Sequence, residues 1–545
     1  MADTVPGPGG QPVDAAPVGG ERPLDAAHRD QSSYQRPADW APPGAALVAS
    51  AATERIPDPA ELGRVHLMGI AGSGMSALAR ILLARGYQVS GCEGRESATA
   101  ADLRALGATI TIGHSPEHAA GCDTLVYTTA IQPTNPELVA AREAGRLMLR
   151  RAAALGAMVT GSHAVAIAGT HGKTTTTSLL IVAAVAAGLD PSFAIGANLH
   201  QGHTNGHVGG GELFLVEADE SDGSFLLLRP NLAVVTNLEA DHLENHGSLA
   251  GVERAFELFV DRIEPGGALI YCVDDPGARR LAEYAAGRGV RLRGYGLDPA
   301  ADLVVSEVLA TDQALYFTAT GLAGGPHRFE ISSLVGEHMA LNASAALLVL
   351  AELGADPAAA AEPWRRFGGV SRRFEQHGVA AGVRVYDDYA HHPTEIRAQL
   401  SAAAAVLDAD ERRTGHRGRL IAVFQPATYS RTQTFAVEFG QALATADVAV
   451  VTDIFPVREL PLPGVTGALI ADEVPLPADR LVYEPDDAAV AARVAGLARP
   501  GDLVLTMGVG DVYLQCPKIL AELERQSASP SDGPAGSPRA GESGR

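Results

Sequence analysis

Three times along this chain a short apolar run breaks at a tight turn and hands over to a helical stretch. The units open at RVHLMGIAGSGMSALARILLARGYQVSGCE (64–93), AVAIAGTHGKTTTTSLLIVAAVAAG (164–188) and VRVYDDYAHHPTEI (383–396). Further short runs follow each of them: DTLVYTTAI (123–131), LFLVEAD (213–219), LAVVTN (232–237), LIAVFQP (420–426), DVAVVTDIF (447–455) and DLVLTMGVGD (502–511). Strands that alternate with helices predict parallel sheets covered by helices. The expected fold class is α/β, with three such units in series; in the first, strands are expected at Val65 to Met68 and Tyr87 to Val89. A length of 545 residues accommodates this, at about 150 residues per domain. Residues 1–62, rich in Pro, Gly, Ala and Asp, read as a disordered extension, and 523–545 as a disordered tail. Domains are expected at 63–160, 161–370 and 371–522.

Charge and composition narrow the partners. The formal net charge of −22 argues against binding to nucleic acid, which depends on Lys and Arg. No apolar run reaches the length of a membrane span, and no secretory signal opens the chain. The four cysteines, at 92, 122, 272 and 516, are too widely spaced to suggest a disulfide framework or a zinc site, so a cytoplasmic location is expected. Only two lysines occur, Lys173 and Lys518. A lysine kept in so lysine-poor a chain points to a task that arginine does not perform.

Lys173 stands in GTHGKTTTT (169–177), on a strand-to-helix turn. Backbone amides and the helix N-terminus can cradle phosphate oxygens there. Lys173 can reach the β- and γ-phosphates, and the Thr174 hydroxyl can ligate Mg²⁺. The loop is shorter than G-x-x-x-x-G-K-[ST], because Gly169 precedes Gly172 by three residues. LFLVEADESDGSF (213–225) ends a strand in Glu217, Asp219, Glu220 and Asp222, where a Mg²⁺-holding carboxylate is expected. The first turn, with Gly69, Gly72 and Gly74, reads either as a plain strand–helix turn or as a diphosphate site. Glu93 is placed to take a ribose hydroxyl. Asp241 and His242 read as a helix-start acid and a surface histidine.

Eleven tracts, in order, then carry a resemblance. They are HLMGIAGSGMSALA, TTAIQPTNPEL, AGTHGKTTT, VEADESDGSF, TNLEADHLENHG, GEHMALNASAAL, SRRFEQHG, YDDYAHHPTEI, FQPATYSRT, FPVREL with PGVTG, and TMGVGDV. Between about residues 63 and 520 the chain resembles the Mur ligases, and among them the alanine-adding branch. The resemblance implies an N-terminal Rossmann-like domain for a UDP-sugar, a central P-loop-like ATPase domain with a mostly parallel sheet, and a C-terminal Rossmann-like domain that delivers an amino acid. It implies ATP-dependent ligation of L-alanine to the lactyl carboxylate of UDP-N-acetylmuramate through an acyl phosphate, by a monomer or homodimer. ATP is a substrate and Mg²⁺ the cofactor.

By position, Gly69, Gly72, Ser73, Gly74, Met75 and Glu93 resemble the UDP-sugar site. Gly169, Thr170, His171, Gly172, Lys173, Thr174, Thr175, Asn342, Arg373 and Asp388 resemble the ATP site. Thr174 and Glu217 resemble ligands of one Mg²⁺ and His242 of a second, which with Lys173 makes Glu217 and His242 catalytic candidates. Tyr389, His391 and Arg431 resemble the alanine pocket. Four positions depart from the family pattern: Ala71 replaces a glycine, Met339 an asparagine, Ala427 a histidine and Thr428 an arginine. With Thr428 neutral, Arg431 is the strongest charged candidate for the alanine carboxylate. Segment 253–262 reads ERAFELFVDR and lacks the lysine that several later-acting members carbamylate. A murein-peptide ligase, an NAD(P)-linked oxidoreductase and a non-catalytic homologue are the competing readings.

Overall fold

The computed structural model describes residues 48, 51 and 53–528, save 129, 130, 200–203, 312 and 458. The first sheet holds β1 (Val65–Met68), β2 (Val89–Glu93), β3 (Thr109–Ile112), β4 (Thr124–Tyr127) and β5 (Leu147–Arg150), in the order β3-β2-β1-β4-β5. All its pairings are parallel. The strand order reverses at β1, so the crevice at its C-terminal end, where the glycine turn lies, is the position at which doubly wound sheets bind ligands.

The second sheet carries β6 (His163–Ala168), β7 (Ser192–Ala194), β8 (Gly206–His207), β9 (Leu213–Glu217), β10 (Leu232–Val235), β11 (Ala268–Cys272), β12 (Arg291–Gly296), β13 (Leu303–Ala310), β14 (Ala314–Thr320) and β15 (His327–Ser332). Its order is β15-β14-β13-β12-β11-β10-β6-β9-β7-β8. It is parallel from β7 to β13, with antiparallel strands at both edges. The third sheet holds β16 (Glu375–Ala380), β17 (Val383–Asp388), β18 (Leu420–Phe424), β19 (Val448–Thr452), β20 (Leu481–Glu484) and β21 (Leu503–Met507), in the order β16-β17-β21-β18-β19-β20. Only β16 is antiparallel. Helices cover both faces of these strands. That is why β10, β18, β19 and β21 are buried throughout and read as unbroken apolar runs.

Three expectations need correction. The second strand is Val89–Glu93, not Tyr87 to Val89. Gly86, at φ 83°, ends the preceding helix, and the Tyr87 N–H turns back to the Leu82 carbonyl, so Tyr87 belongs to the helix end. The extension assigned to 1–62 is docked over its last part. Ala51 and Leu62 are buried, Val48 and Ala51 lie against Gly223, and Arg150 is paired with Glu54. The Tyr87 hydroxyl donates to the Pro59 carbonyl at 2.9 Å. Residues 1–47 lie outside the described residues. At the other end, the tail assigned from 523 starts later, because the helix Gln515–Ala528 runs through that boundary. Its buried Cys516, Ile519 and Leu523 recur at helical spacing. Residues 529–545 lie outside the described residues. Among the described residues, no helix is long and apolar enough to cross a membrane.

Candidate active site

The turn after β6 places Lys173 at the first position of the helix Lys173–Ala186. Gly169 (φ 133°) and Gly172 (φ 83°) take backbone conformations that only glycine adopts readily. Space excludes a side chain as well: a Cβ would lie 2.0 Å from Thr236 Oγ1 at Gly169 and 2.5 Å from Asn342 Oδ1 at Gly172. Asn342, expected at the ATP site, therefore packs onto the phosphate loop itself. Its Nδ2 approaches the Met339 sulfur at 3.8 Å. Thr174 and Thr175 are buried.

Lys173 Nζ donates to the carbonyls of Gly169 (2.7 Å) and Thr170 (3.1 Å) and pairs with Glu220 at 2.7 Å. Burial disfavours its charge, but Glu220, Asp219 and Glu217 outweigh that, and the ammonium is held above its ordinary value. Glu220 carries the opposite tension. It is 3% exposed, and burial raises its carboxyl above the ordinary range despite Lys173. The sequence marked Glu220 only as one acid of a cluster; strand geometry makes it the lysine's partner.

Glu217, at the end of β9, accepts from Thr174 Oγ1 (2.8 Å) and from the Gly196 N–H (2.7 Å). Adjacent oxygens around an octahedral Mg²⁺ lie about 2.9 Å apart, so Thr174 and Glu217 fit neighbouring positions on one ion. His242 is not brought to that pair. It sits at φ 50° with Nδ1 3.3 Å from Glu244 Oε1 and Nε2 3.6 Å from Asp241 Oδ2. Burial lowers its pKa, but Glu244, Asp241 and Glu220 raise it to about 8.

His171, expected at the ATP site, is also a node between the phosphate loop and the C-terminal unit. Its Nδ1 lies 3.1 Å from Glu395, its Nε2 3.8 Å from Glu239, and its ring 4.9 Å from that of His392. Burial acts against the charge, yet Glu395 and Glu239 lift its pKa to about 10. Thr394 Oγ1 donates to Glu239 at 2.7 Å. The phosphate loop thus meets the start of the helix Pro393–Thr414, whose capping box uses His392 and Glu395. The only forewarning was the H-x-x-E spacing in HHPTE.

On the third sheet, Asp388 is 1% exposed and is consumed internally. It accepts from Phe374 N (2.8 Å), Ala390 N (2.8 Å) and the Gln399 side chain. The Arg373 guanidinium lies 5.4 Å from the Tyr389 ring centroid. His391 Nδ1 is 3.0 Å from the Tyr389 carbonyl, and burial depresses its pKa to about 4. Arg431 is not free. Its Nη2 lies 2.6 Å from Asp241 Oδ1, an ion pair between the central and C-terminal units. Thr428, at φ 63°, caps the short helix that carries Arg431.

In the first turn, Gly69 (φ 66°) and Gly72 lead into the helix Ser73–Ala84, where Met75 is buried. Glu93 Oε2 accepts from Ala71 N at 3.0 Å, which ties the end of β2 to the turn. Asn205 of the central unit donates to the Ser73 carbonyl at 2.6 Å. Arg151, unmarked in the sequence reading, stands against Gly74 and lies 3.8 Å from Asp219, between the glycine turn and the acid cluster.

Three family profiles match consecutive parts of the chain: "Mur ligase family, catalytic domain" (64–163), "Mur ligase middle domain" (167–350) and "Mur ligase, glutamate ligase domain" (372–510). The chain is 52% identical over 472 residues to UDP-N-acetylmuramate–L-alanine ligase of Saccharopolyspora erythraea, covering 86% of this chain and 95% of that one. It is 51% identical to the enzyme of the same name from Kineococcus radiotolerans, covering 85% and 96%. Among solved structures, UDP-N-acetylmuramate-alanine ligase of Thermotoga maritima superposes with a TM-score of 0.69 at 25% identity, covering 86% of this chain and 100% of that one.

Proposed function

Because the chain belongs to the Mur ligase family, we propose that its named relatives also fix its substrates. It is an ATP-dependent amide-bond-forming ligase that joins L-alanine to the lactyl carboxylate of UDP-N-acetylmuramate, in the synthesis of peptidoglycan precursors. The observation that carries this is the 52% identity to a ligase of that name over nearly its whole length. The oxidoreductase reading is left without support. Four free cysteines suit a reducing cytoplasm.

The first step transfers the γ-phosphoryl group of ATP to a lactyl carboxylate oxygen and releases ADP. Two anions must meet, so fixed cations supply much of the catalysis. Lys173, the amides of Gly169 to Lys173 and the helix N-terminus form the cradle for the phosphates. Lys173 exchanges Glu220 for phosphate oxygens as the nucleotide enters. Thr174 and Glu217 are the residues to hold Mg²⁺, which when bound adds positive charge beside the phosphates. His242, charged near neutral pH beside Glu220, fits a second cationic group better than a ligand in this conformation. Asn342 borders the nucleotide from the loop side, and Arg373 adds charge. Asp388 shapes the turn beneath them.

In the second step the alanine amine attacks the acyl carbon and inorganic phosphate leaves. The amine must shed a proton. His391, kept neutral by burial with its pKa lowered to about 4, borders the amine beside Tyr389 without adding a competing charge, and the proton passes to solvent. Arg431 gives one donor of its five-donor fork to Asp241, and the same fork suits the alanine carboxylate.

The test is phosphate release from ATP with UDP-N-acetylmuramate, measured with L-alanine, with a recycled tripeptide, or with neither. The expected result is release that requires L-alanine. Release with the tripeptide alone would transfer the chain to the murein-peptide ligase activity.

A further inference from the structure

The N-terminal sheet buries a cluster of metal-binding side chains that the ligase chemistry does not use. His66 on β1, Cys92 on β2 and Glu137 on the helix Pro136–Glu143 bring their ligand atoms within 4.8 Å of one another, and His114, in the loop after β3, lies beside Cys92 and Glu137. His66, Cys92 and Glu137 are 2%, 0% and 0% exposed.

Most of the spacings approach those of a coordination shell. Ligand atoms on a tetrahedral ion with bonds of about 2.0–2.3 Å lie about 3.3–3.8 Å apart. Cys92 Sγ is 3.3 Å from His114 Nδ1; its thiol donates to Glu137 Oε2 at 2.8 Å, a contact that would lengthen once the proton is replaced by an ion. His114 Nδ1 is 3.3 Å and His66 Nε2 3.9 Å from the same Glu137 oxygen.

A second observation points the same way. His66 Nδ1 is 2.9 Å from the Ser90 hydroxyl, whereas its buried Nε2 has no hydrogen-bond partner. In the tautomer whose Nδ1–H donates to Ser90, Nε2 turns a lone pair toward a carboxylate oxygen, and a cation between these two acceptors satisfies both. The outer contacts are equally typical of a metal site: His118 Nδ1 lies 2.6 Å from the other oxygen, Glu137 Oε1.

We propose that the N-terminal domain carries a structural site for a thiophilic divalent cation, Zn²⁺ by its chemistry, on Cys92, His66 Nε2, His114 and Glu137. One sulfur, two imidazole nitrogens and one carboxylate suit Zn²⁺ and do not suit Mg²⁺. Binding releases the Cys92 thiol proton to solvent. The site braces the glycine turn, because the Cys92 carbonyl accepts from Gly69 N (2.9 Å) and Ile70 N (3.1 Å), and Glu93 follows it directly. The wide spacing of the cysteines concealed the site, since only one ligand is a cysteine.

The experiment uses the full chain. After dialysis into metal-free buffer, Zn²⁺ is quantified by elemental analysis. The bound ion is then stripped with a chelator, and Co²⁺ is titrated into the metal-free chain and followed through its near-ultraviolet thiolate charge-transfer band. One tightly held equivalent per chain, and a band that saturates at one equivalent and is displaced by Zn²⁺, are expected. Cys92→Ser should abolish the band, and His118→Ala should weaken Co²⁺ binding about 10- to 100-fold. If Cys92→Ser does not fold, the wild-type titration decides alone. No thiolate band, or a band that survives Cys92→Ser, would overturn the proposal. Magnesium at the phosphate loop gives no such band, so failure here leaves the ligase assignment untouched.

Discussion

Asp241→Asn should disable one of the contacts that hold the central and C-terminal domains together at the site. The Asp241–Arg431 side chains are 5% and 10% exposed, with Nη2 and Oδ1 2.6 Å apart. Removing one charge from a pair buried this deeply costs about 3–5 kcal/mol. Asparagine keeps the volume, so the loss is one of charge. Arg431→Ala should cost less, because Asp241 keeps His242 3.6 Å away. The pair joins two domains, so the cost falls on their closed arrangement and appears in kcat/KM for L-alanine.

A double-mutant cycle over wild type, Asp241→Asn, Arg431→Ala and the double variant isolates the coupling. A coupling of about 2 kcal/mol corresponds to roughly 30-fold. The double variant is therefore expected to be no worse than the poorer single one, with KM for ATP moving least in Arg431→Ala. Single effects that simply multiply would refute the pair. The pH dependence gives a second check. Burial pushes the Asp241 carboxyl up, but His242 and Arg431 hold it far below its model-peptide value of 3.8. A carboxylate depressed on folding contributes stability above that value and loses it only as pH falls through the lower one. Asp241 itself therefore adds no step between roughly pH 6 and pH 8; a step in the wild-type to Asp241→Asn ratio there is expected from His242, whose pKa Asp241 helps raise to about 8.

Lys173→Ala should leave folding intact and reduce turnover roughly 100- to 1000-fold. Lys173→Arg should rescue little, because a planar fork does not replace a compact ammonium; near wild-type phosphate release would refute the loop assignment. Glu217→Gln should shift the Mg²⁺ titration of activity to higher concentration, and an unchanged titration would remove Glu217 from the metal. Deleting residues 1–47 should not move the thermal midpoint. Deleting 1–57 should lower it, since Arg150 then loses Glu54 and becomes a buried unpaired charge, worth about 3–5 kcal/mol; equal midpoints would refute the docking. His171 has a pKa raised to about 10, so its contribution to stability is complete below about 6.5 and lost as pH rises through 10. Glu395→Gln should move that loss to lower pH, as read by denaturant midpoints across the range.

What the sequence made legible was whatever one segment encodes by itself. Val65 to Met68 reads as a strand because it is apolar and stops at a glycine turn, and the structure agrees at both ends. GTHGKT identifies its loop because chain order alone puts Lys173 at a helix start. Partnerships set by the third dimension were not legible. Nothing local marks Glu220 above Asp219 or Asp222 as the partner of Lys173. Arg431 and Asp241 are 190 residues apart in sequence. The segment 48–62 misled because it reads together with the Pro/Gly-rich stretch before it; 48–62 itself has two prolines and no glycine, and its Ala51 and Leu62 are buried.

The bond between Lys173 and Glu220 has a consequence for how ATP arrives. An empty phosphate loop that keeps its lysine neutralised has little attraction for stray anions of low charge. A triphosphate that draws Lys173 away leaves Glu220 behind in a pocket that already pushes its carboxyl upward. Deprived of the ammonium, that carboxyl is pushed further up. Any proton it takes is linked to nucleotide capture, so ATP affinity acquires a slope with pH where Glu220 titrates, even though no titrating group of the protein need touch the base or the sugar.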